Sequence, residues 1–264
     1  MKIYKQKKGE LTTQQIVMLI ILITSFAVIL FFFFRLNLGE TSNKEICHNS
    51  VVLKGKSVAG FGSLDCRTNY VCISGGGECE GINPTETKEI NLIDSEKAED
   101  VKKNKEKIMK AIADEMADCW WMFGEGNVNY LGLEDKSVWP KNSCAVCSTI
   151  VFDNKILDKY NDIKYKEFYE YLNAAKKDSS QTYFNYLYNS NNINNFQNKI
   201  SYLNVDLDKD FIINKNKFNV VTGVKTGALW GKATKDIFIY SYYISSDKFS
   251  QNQGLICNEF ITKA

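Results

Sequence analysis

One long apolar run sets the beginning of the chain apart from everything after it. From Ile16 to Phe34 nineteen residues carry no charge, with Thr24 and Ser25 as the polar positions inside the run. A helix of that length is about 28 Å long, close to the roughly 30 Å hydrocarbon thickness of a bilayer. A secretory signal has a shorter apolar core, about 7–15 residues, followed by a small-x-small cleavage site. Here the run ends in "FFFFRLNL" without such a site. The pattern therefore predicts a transmembrane helix over residues 16–35, preceded by a basic N-terminus (1–15).

After that run the pattern becomes mixed. "LNLGETSNKE" is polar with a glycine and turn formers, and reads as a short stalk over residues 36–44. "EICHNSVVLKG" alternates and is β-branched, which predicts a strand. "LDCRTNYVCISGGGECEGINP" reads as a strand, a glycine turn and a second short strand. The strongest helical period lies at about residues 95–123. There Val101, Ile108, Ile112, Met116, Cys119, Trp120 and Phe123 recur at three, four and seven. Asp94 or Ser95 suits its N-cap, Glu96 and Glu99 its first turn, and Gly124 its end. Residues 125–145 read as loop, and "AVCSTIVF" as a buried central strand. "DIKYKEFYEYLNAAKK" and "SSQTYFNYLY" predict two amphipathic helices, capped by Asp162 and by Ser179 or Ser180. The Asn-rich "NSNNINNFQNK" is a connector, followed by strand-like "ISYLNV", "FNVVTGVKT", "DIFIYSYYIS" and "GLICNEFIT". Helices in the middle with strands at both ends predict a single α+β domain over residues 45–264.

Charge fixes the expected orientation. Lys2, Lys5, Lys7 and Lys8 precede the apolar run, and Arg35 alone stands close behind it. By the positive-inside rule the N-terminus is cytoplasmic, and the protein is single-pass in the cytoplasmic membrane with its C-terminal domain outside. Setting aside those five bases and Glu10 leaves 28 bases and 30 acids in the exported part. That balance offers no electrostatic case for nucleic acid. The bilayer, met through Ile16–Phe34, is the expected partner, together with envelope proteins.

Cysteine usage agrees with that topology. Cys47, Cys66, Cys72, Cys79, Cys119, Cys144, Cys147 and Cys257 all follow the apolar run. An even number on the exported side predicts a disulfide framework whose connectivity the sequence leaves open. A sharper alternative is a thiol-disulfide oxidoreductase using the C-x-x-C pair Cys144 and Cys147. That motif belongs at a strand-to-helix junction, however, and β-prone "STIVF" follows it here. Zinc would need ligands such as Cys47 and His48, or Cys66, Cys72 and Cys79, whose spacing fits no zinc module. The expectation is no metal and no cofactor.

Other chemistry is thin. Gly75–Gly77 lacks the lysine and the following helix of a phosphate loop and reads as a turn. Asp114, Glu115, Asp118 and Glu125 stand beside Trp120 and Trp121, as carboxylates and aromatics do in sugar-cleaving sites. Helical spacing instead places Trp120 in the core. His48 is the sole histidine and no G-x-S-x-G elbow exists, so no catalytic set is expected.

Two resemblances follow from quoted segments. "KKGELTTQQIVMLII" resembles the class III, prepilin-type signal of archaeal pilins, which implies processing between Gly9 and Glu10 and a pilin-like filament subunit. "RLNLGE…EICHNSVVL", "CISGGG", "ADEMADCWWMFGEG", "CAVC" and "CNEFITKA" together resemble a group of uncharacterised archaeal single-pass membrane proteins. That likeness implies topology and no catalytic residue. The functional expectation is an envelope protein with a structural or interaction role.

Overall fold

A computed structural model describes residues 13–35, 43–56, 63–128, 130, 141–191, 207–210, 212–213, 217–226, 237–242, 257 and 259–262. The basic N-terminus with Gly9 and Glu10, residues 36–42 of the expected stalk, the connector from 192 onward and "ISYLNV" lie outside the described residues. The chain divides into two compact units, Met1–Ser42 and Asn43–Ala264.

In the first unit the apolar run forms helix α1, Thr13–Arg35. Its stretch Thr13–Phe31 has a mean hydropathy of 2.4 and none of it is buried by protein. Thr24 and Ser25 donate their hydroxyls to carbonyls one turn back, so no polar hydrogen in the run needs an outside partner. Among the described residues this is the one helix long and apolar enough to cross a membrane.

The second unit is a mixed α+β domain. It begins with α2 (Asn43–Lys56), continues through β1 (Asn69–Ser74), β2 (Glu86–Glu89), α3 (Ala98–Met122) and β3 (Lys141–Phe152), then α4 (Asn154–Tyr160), α5 (Tyr165–Ala174) and α6 (Tyr183–Tyr188). Strands β4 (Phe218–Thr226), β5 (Ile237–Tyr242) and β6 (Glu259–Phe260) complete the sheet. Strand order is β2-β1-β3-β4-β5, with β6 also on β3. β1, β2 and β3 are mutually parallel, β4 runs antiparallel to β3 and to β5, and β6 is parallel to β3. The long strand β3 is central, as its apolar run requires.

The core lies between the sheet and α3, with α2, α5 and α6 packed around that helix. Ile108, Ile112, Met116, Cys119 and Phe123 are fully buried, so the predicted face of α3 is the core face. Gly124 ends the helix at φ +77°, a left-handed conformation that suits glycine. The start differs from expectation. Lys97 is the N-cap and its side chain makes no capping bond, while Ser95 accepts from the Lys97 amide. α5 likewise starts at Lys164 in place of Asp162, and Thr182 caps α6 in place of Ser179 or Ser180.

The largest correction concerns "EICHNSVVLKG", which is the helix α2 and not a strand. Cys47 and Val51, one turn apart, are buried against the core, while Ile46 and Leu53 remain exposed. A half-buried strand would have buried alternate residues. Burial of the i,i+4 pair against α3 overrides the β-propensity of the valines. A second correction concerns β2: it lies at Glu86–Glu89, beyond "GINP", and runs parallel to β1 instead of returning as a hairpin.

Candidate functional site

The most unusual chemistry in the domain is built where β3 meets α3. The pairing of β3 with β4 shifts register between Val146 and Ser148. Such a bulge breaks strict alternation and re-aims side chains. Ser143, Ala145 and Cys147 face α3 before the shift, and Ser148, Ile150 and Phe152 face it afterwards, all of them buried. Cys147 and Ser148 are therefore neighbours in sequence that point the same way. On α3, Glu115 and Cys119 are one turn apart and meet them. Cys119 bonds to Cys147, and Ser148 Oγ donates to Glu115 Oε2 at 2.6 Å.

Glu115 is fully buried, yet it is the centre of a charge cluster. Its Oε1 lies 2.9 Å from Lys44 Nζ on α2 and 2.5 Å from Lys88 Nζ on β2. Lys44 also reaches Asp118 Oδ2 at 2.7 Å and Glu86 Oε2 at 3.1 Å. Burial disfavours the Glu115 carboxylate, but the charges of Lys44 and Lys88 and their hydrogen bonds outweigh it and hold the group below its ordinary value of 4.5. Burial likewise disfavours the Lys44 ammonium, and Glu115 and Asp118 outweigh it, holding Lys44 well above the usual lysine range. Both groups stay ionised at neutral pH.

This arrangement does not make Ser148 a nucleophile. Its hydroxyl donates to a carboxylate already neutralised by two ammoniums, so there is no free base to take the proton. Ser148 is also completely buried, which closes it to substrate. The cluster instead fastens three elements at one point: α2 through Lys44, β2 through Lys88 and β3 through Ser148, all upon α3.

The carboxylates and tryptophans singled out in the sequence are distributed differently. Trp120 is buried in the core. Trp121 is stacked by His48, with ring centroids 4.0 Å apart and planes 9° from parallel, and His48 Nδ1 lies 2.7 Å from the Trp121 carbonyl oxygen. Asp114 pairs with Lys110 at 2.7 Å and accepts from the Tyr183 hydroxyl. Glu125 accepts from Tyr186 at 2.6 Å, and Lys177 stands 4.1 Å over the Tyr186 ring. Burial first, and then these carboxylates, push the Tyr183 and Tyr186 hydroxyls upward, and burial followed by the charges of Asp114 and Glu106 raises Tyr171 to about 12. The acids of this rim are thus engaged within the fold.

The glycine turn has an internal occupant. Gly75 and Gly77 each donate an amide to Asp153 Oδ2 at 2.8 Å, and the Ser74 hydroxyl adds a third bond at 3.1 Å. Asp153 Oδ1 meanwhile accepts from Ile156 and caps α4. The cradle resembles an anion nest, with its own carboxylate where a phosphate would sit.

Four bridges use all eight cysteines: Cys47–Cys66, Cys72–Cys79, Cys119–Cys147 and Cys144–Cys257. The C-x-x-C cysteines are not joined to each other. Cys147 faces α3, whereas Cys144 lies on the opposite face of the sheet beside Val221 and Cys257. Cys66 leaves the glycine-turn staple to Cys72 and Cys79 and pairs with α2 instead. Lys44, Lys88 and Ser148 were not singled out by sequence reasoning. The signal was Glu115 itself, a carboxylate set inside the apolar stripe of Ile112, Met116 and Cys119. Set against models of protein families, curated proteins and solved structures, the chain matches none of them.

Proposed function

We propose that this chain is a membrane-anchored envelope protein whose disulfide-stapled α+β domain works outside the cytoplasm in a structural or interaction role. The observation that carries the reading is the pairing of all eight cysteines into four bridges, every one of them downstream of the apolar helix α1. Disulfides of this density persist in oxidising compartments, and an apolar helix of this length suits a bilayer. The ionic cluster supports a structural role, because the buried Glu115 carboxylate joins α2, β2 and β3 to α3.

The test combines fractionation with intact mass. Native membranes are washed at alkaline pH, intact cells are treated with protease, and the purified protein is mapped without reduction. The reading expects retention in the washed membrane, digestion of the domain from outside, and four bridges with no free thiol. Recovery as a soluble protein lacking residues 1–35, or a domain protected from external protease, would refute it. The same mass distinguishes an intact N-terminus from one beginning at Glu10, which would favour a filament subunit.

A further inference from the structure

The central strand β3 is flanked by β4 along most of one side, but its other side is shared. β1 pairs with Ser148–Phe152 and stops there. The Thr68 hydroxyl donates to the Val146 carbonyl at 3.0 Å, marking the end of that pairing. The remaining half-edge is filled by the C-terminal strand β6, which contributes two pairs, Ser143 with Glu259 and Cys144 with Phe260. Two more bonds extend it: the Ile261 amide donates to the Cys144 carbonyl at 2.9 Å, and the Val146 amide to Thr262 Oγ1 at 3.0 Å. Among the described residues this pairing is short, and so short a strand is marginal on backbone bonds alone. Phe260 is 46% exposed and brings little burial to help. Ile261 packs against the core, and Cys144–Cys257, a bridge spanning 113 residues, ties the strand covalently to β3.

We propose that the half-edge of β3 from Ser143 to Val146 is a strand-acceptor site, filled in the resting chain by its own C-terminal strand and clasped by Cys144–Cys257. The partner it fits is the same strand of a second copy, since one set of backbone and side-chain contacts serves either chain. Opening needs a dithiol reductant. Its thiolate attacks sulfur at Cys257, the more exposed end, and Cys144 leaves as a thiolate. The second thiol then displaces Cys257 from the mixed disulfide, so two electrons pass and the reductant becomes a disulfide.

The test uses the full chain as the double variant Cys144→Ser/Cys257→Ser, beside the wild type, with a fluorescent peptide of residues 257–264 carrying serine at 257. Hydrogen exchange at the Val146 and Ile261 amides should accelerate at least about tenfold in the variant, while Ile150 and Val221 stay protected. The peptide should bind the variant and not the wild type. Unchanged protection at Val146, or absent peptide binding, overturns the proposal. In case the variant unfolds, wild-type protein is titrated with dithiothreitol, alkylated and mapped. Labelling of Cys144 and Cys257 together with the onset of peptide binding supports the clasp. Binding before that bridge opens, or opening only with loss of the whole fold, refutes it.

Discussion

Replacing Glu115 by glutamine removes the charge at the centre of the α2–α3–β2 junction while keeping the side chain's shape. At an effective dielectric of about 20, an ion pair near 3 Å attracts by roughly 5 kcal/mol, most of which offsets the cost of burying the ions. Breaking a buried pair by removing one partner costs about 3–5 kcal/mol in general. Two features lower that figure here. The amide oxygen still accepts from Ser148, and Lys44 retains Asp118 and Glu86. We therefore expect a loss of about 2–3 kcal/mol, read as a fall in Tm of roughly 5–10 °C for a domain of this size. Chemical denaturation of Glu115→Gln, Lys44→Met and the double variant should give a coupling of about 1–2 kcal/mol. The pH dependence has a definite sign. Because the folded carboxylate is held below 4.5, its contribution is present above that value and is lost as pH falls through the depressed folded value. Lys44 is raised, so its contribution is present at neutral pH and is lost only as strongly alkaline pH passes its folded value. The wild type should thus lose more stability than Glu115→Gln as pH falls below 4.5. A Glu115→Gln change below about 0.5 kcal/mol, or parallel acid curves for the two proteins, would show that the cluster contributes nothing net.

Three further outcomes follow from named contacts. Replacing Cys119 and Cys147 together by alanine opens a 28-residue loop and should cost about 3–4 kcal/mol in denaturant titrations under non-reducing conditions. Asp153→Ala leaves the Gly75 and Gly77 amides and the α4 cap without their acceptor, for a loss of about 2–4 kcal/mol. Sulfate should raise the Tm of that variant more than that of wild type, because the vacated nest accepts an anion. Val51→Ala should cost about 1–3 kcal/mol and Leu53→Ala less than about 0.5. Equal losses at these two positions would point to a strand, where residues two apart share a face.

Patterns with a single dominant period were legible in the chain. The stripe of α3, the apolar run of β3 and the glycine stop at Gly124 each follow from local chemistry with one outcome. "EICHNSVVLKG" was not legible, because its apolar residues fit both periods: Ile46, Val51 and Leu53 are odd-spaced enough for either face. Only the partner decides, through Cys66 bonding Cys47 and α3 receiving Val51. Caps failed for a related reason. Asp94, Ser95 and Asp162 are all competent caps, but tertiary pairs take Asp94 to Lys159 and Asp162 to Lys105. Disulfide connectivity was closed to sequence by its combinatorics, and the bulge that decides part of it is a tertiary event.

That bulge explains why the carboxylate and the disulfide occur together. Without it, Cys147 and Ser148 would project to opposite faces, and α3 could meet only one of them. A single extra residue turns both toward a helix whose i and i+4 positions are Glu115 and Cys119. The covalent bond then fixes the height of α3 over the sheet, and the serine fixes the carboxylate's rotamer. With the carboxylate fixed, Lys44 and Lys88 can be drawn in from two other elements at once. Burying a carboxylate is costly in general, and it becomes tolerable here because Glu115 has two half-buried ammoniums and a serine hydroxyl in place. On this account the cluster should depend on the bridge more than the bridge depends on the cluster. Opening Cys119–Cys147 should weaken the Lys44–Glu115 coupling, whereas Glu115→Gln should leave the bridge formed. A coupling energy unchanged in the Cys119→Ala/Cys147→Ala background would show that the carboxylate is positioned by the helix alone.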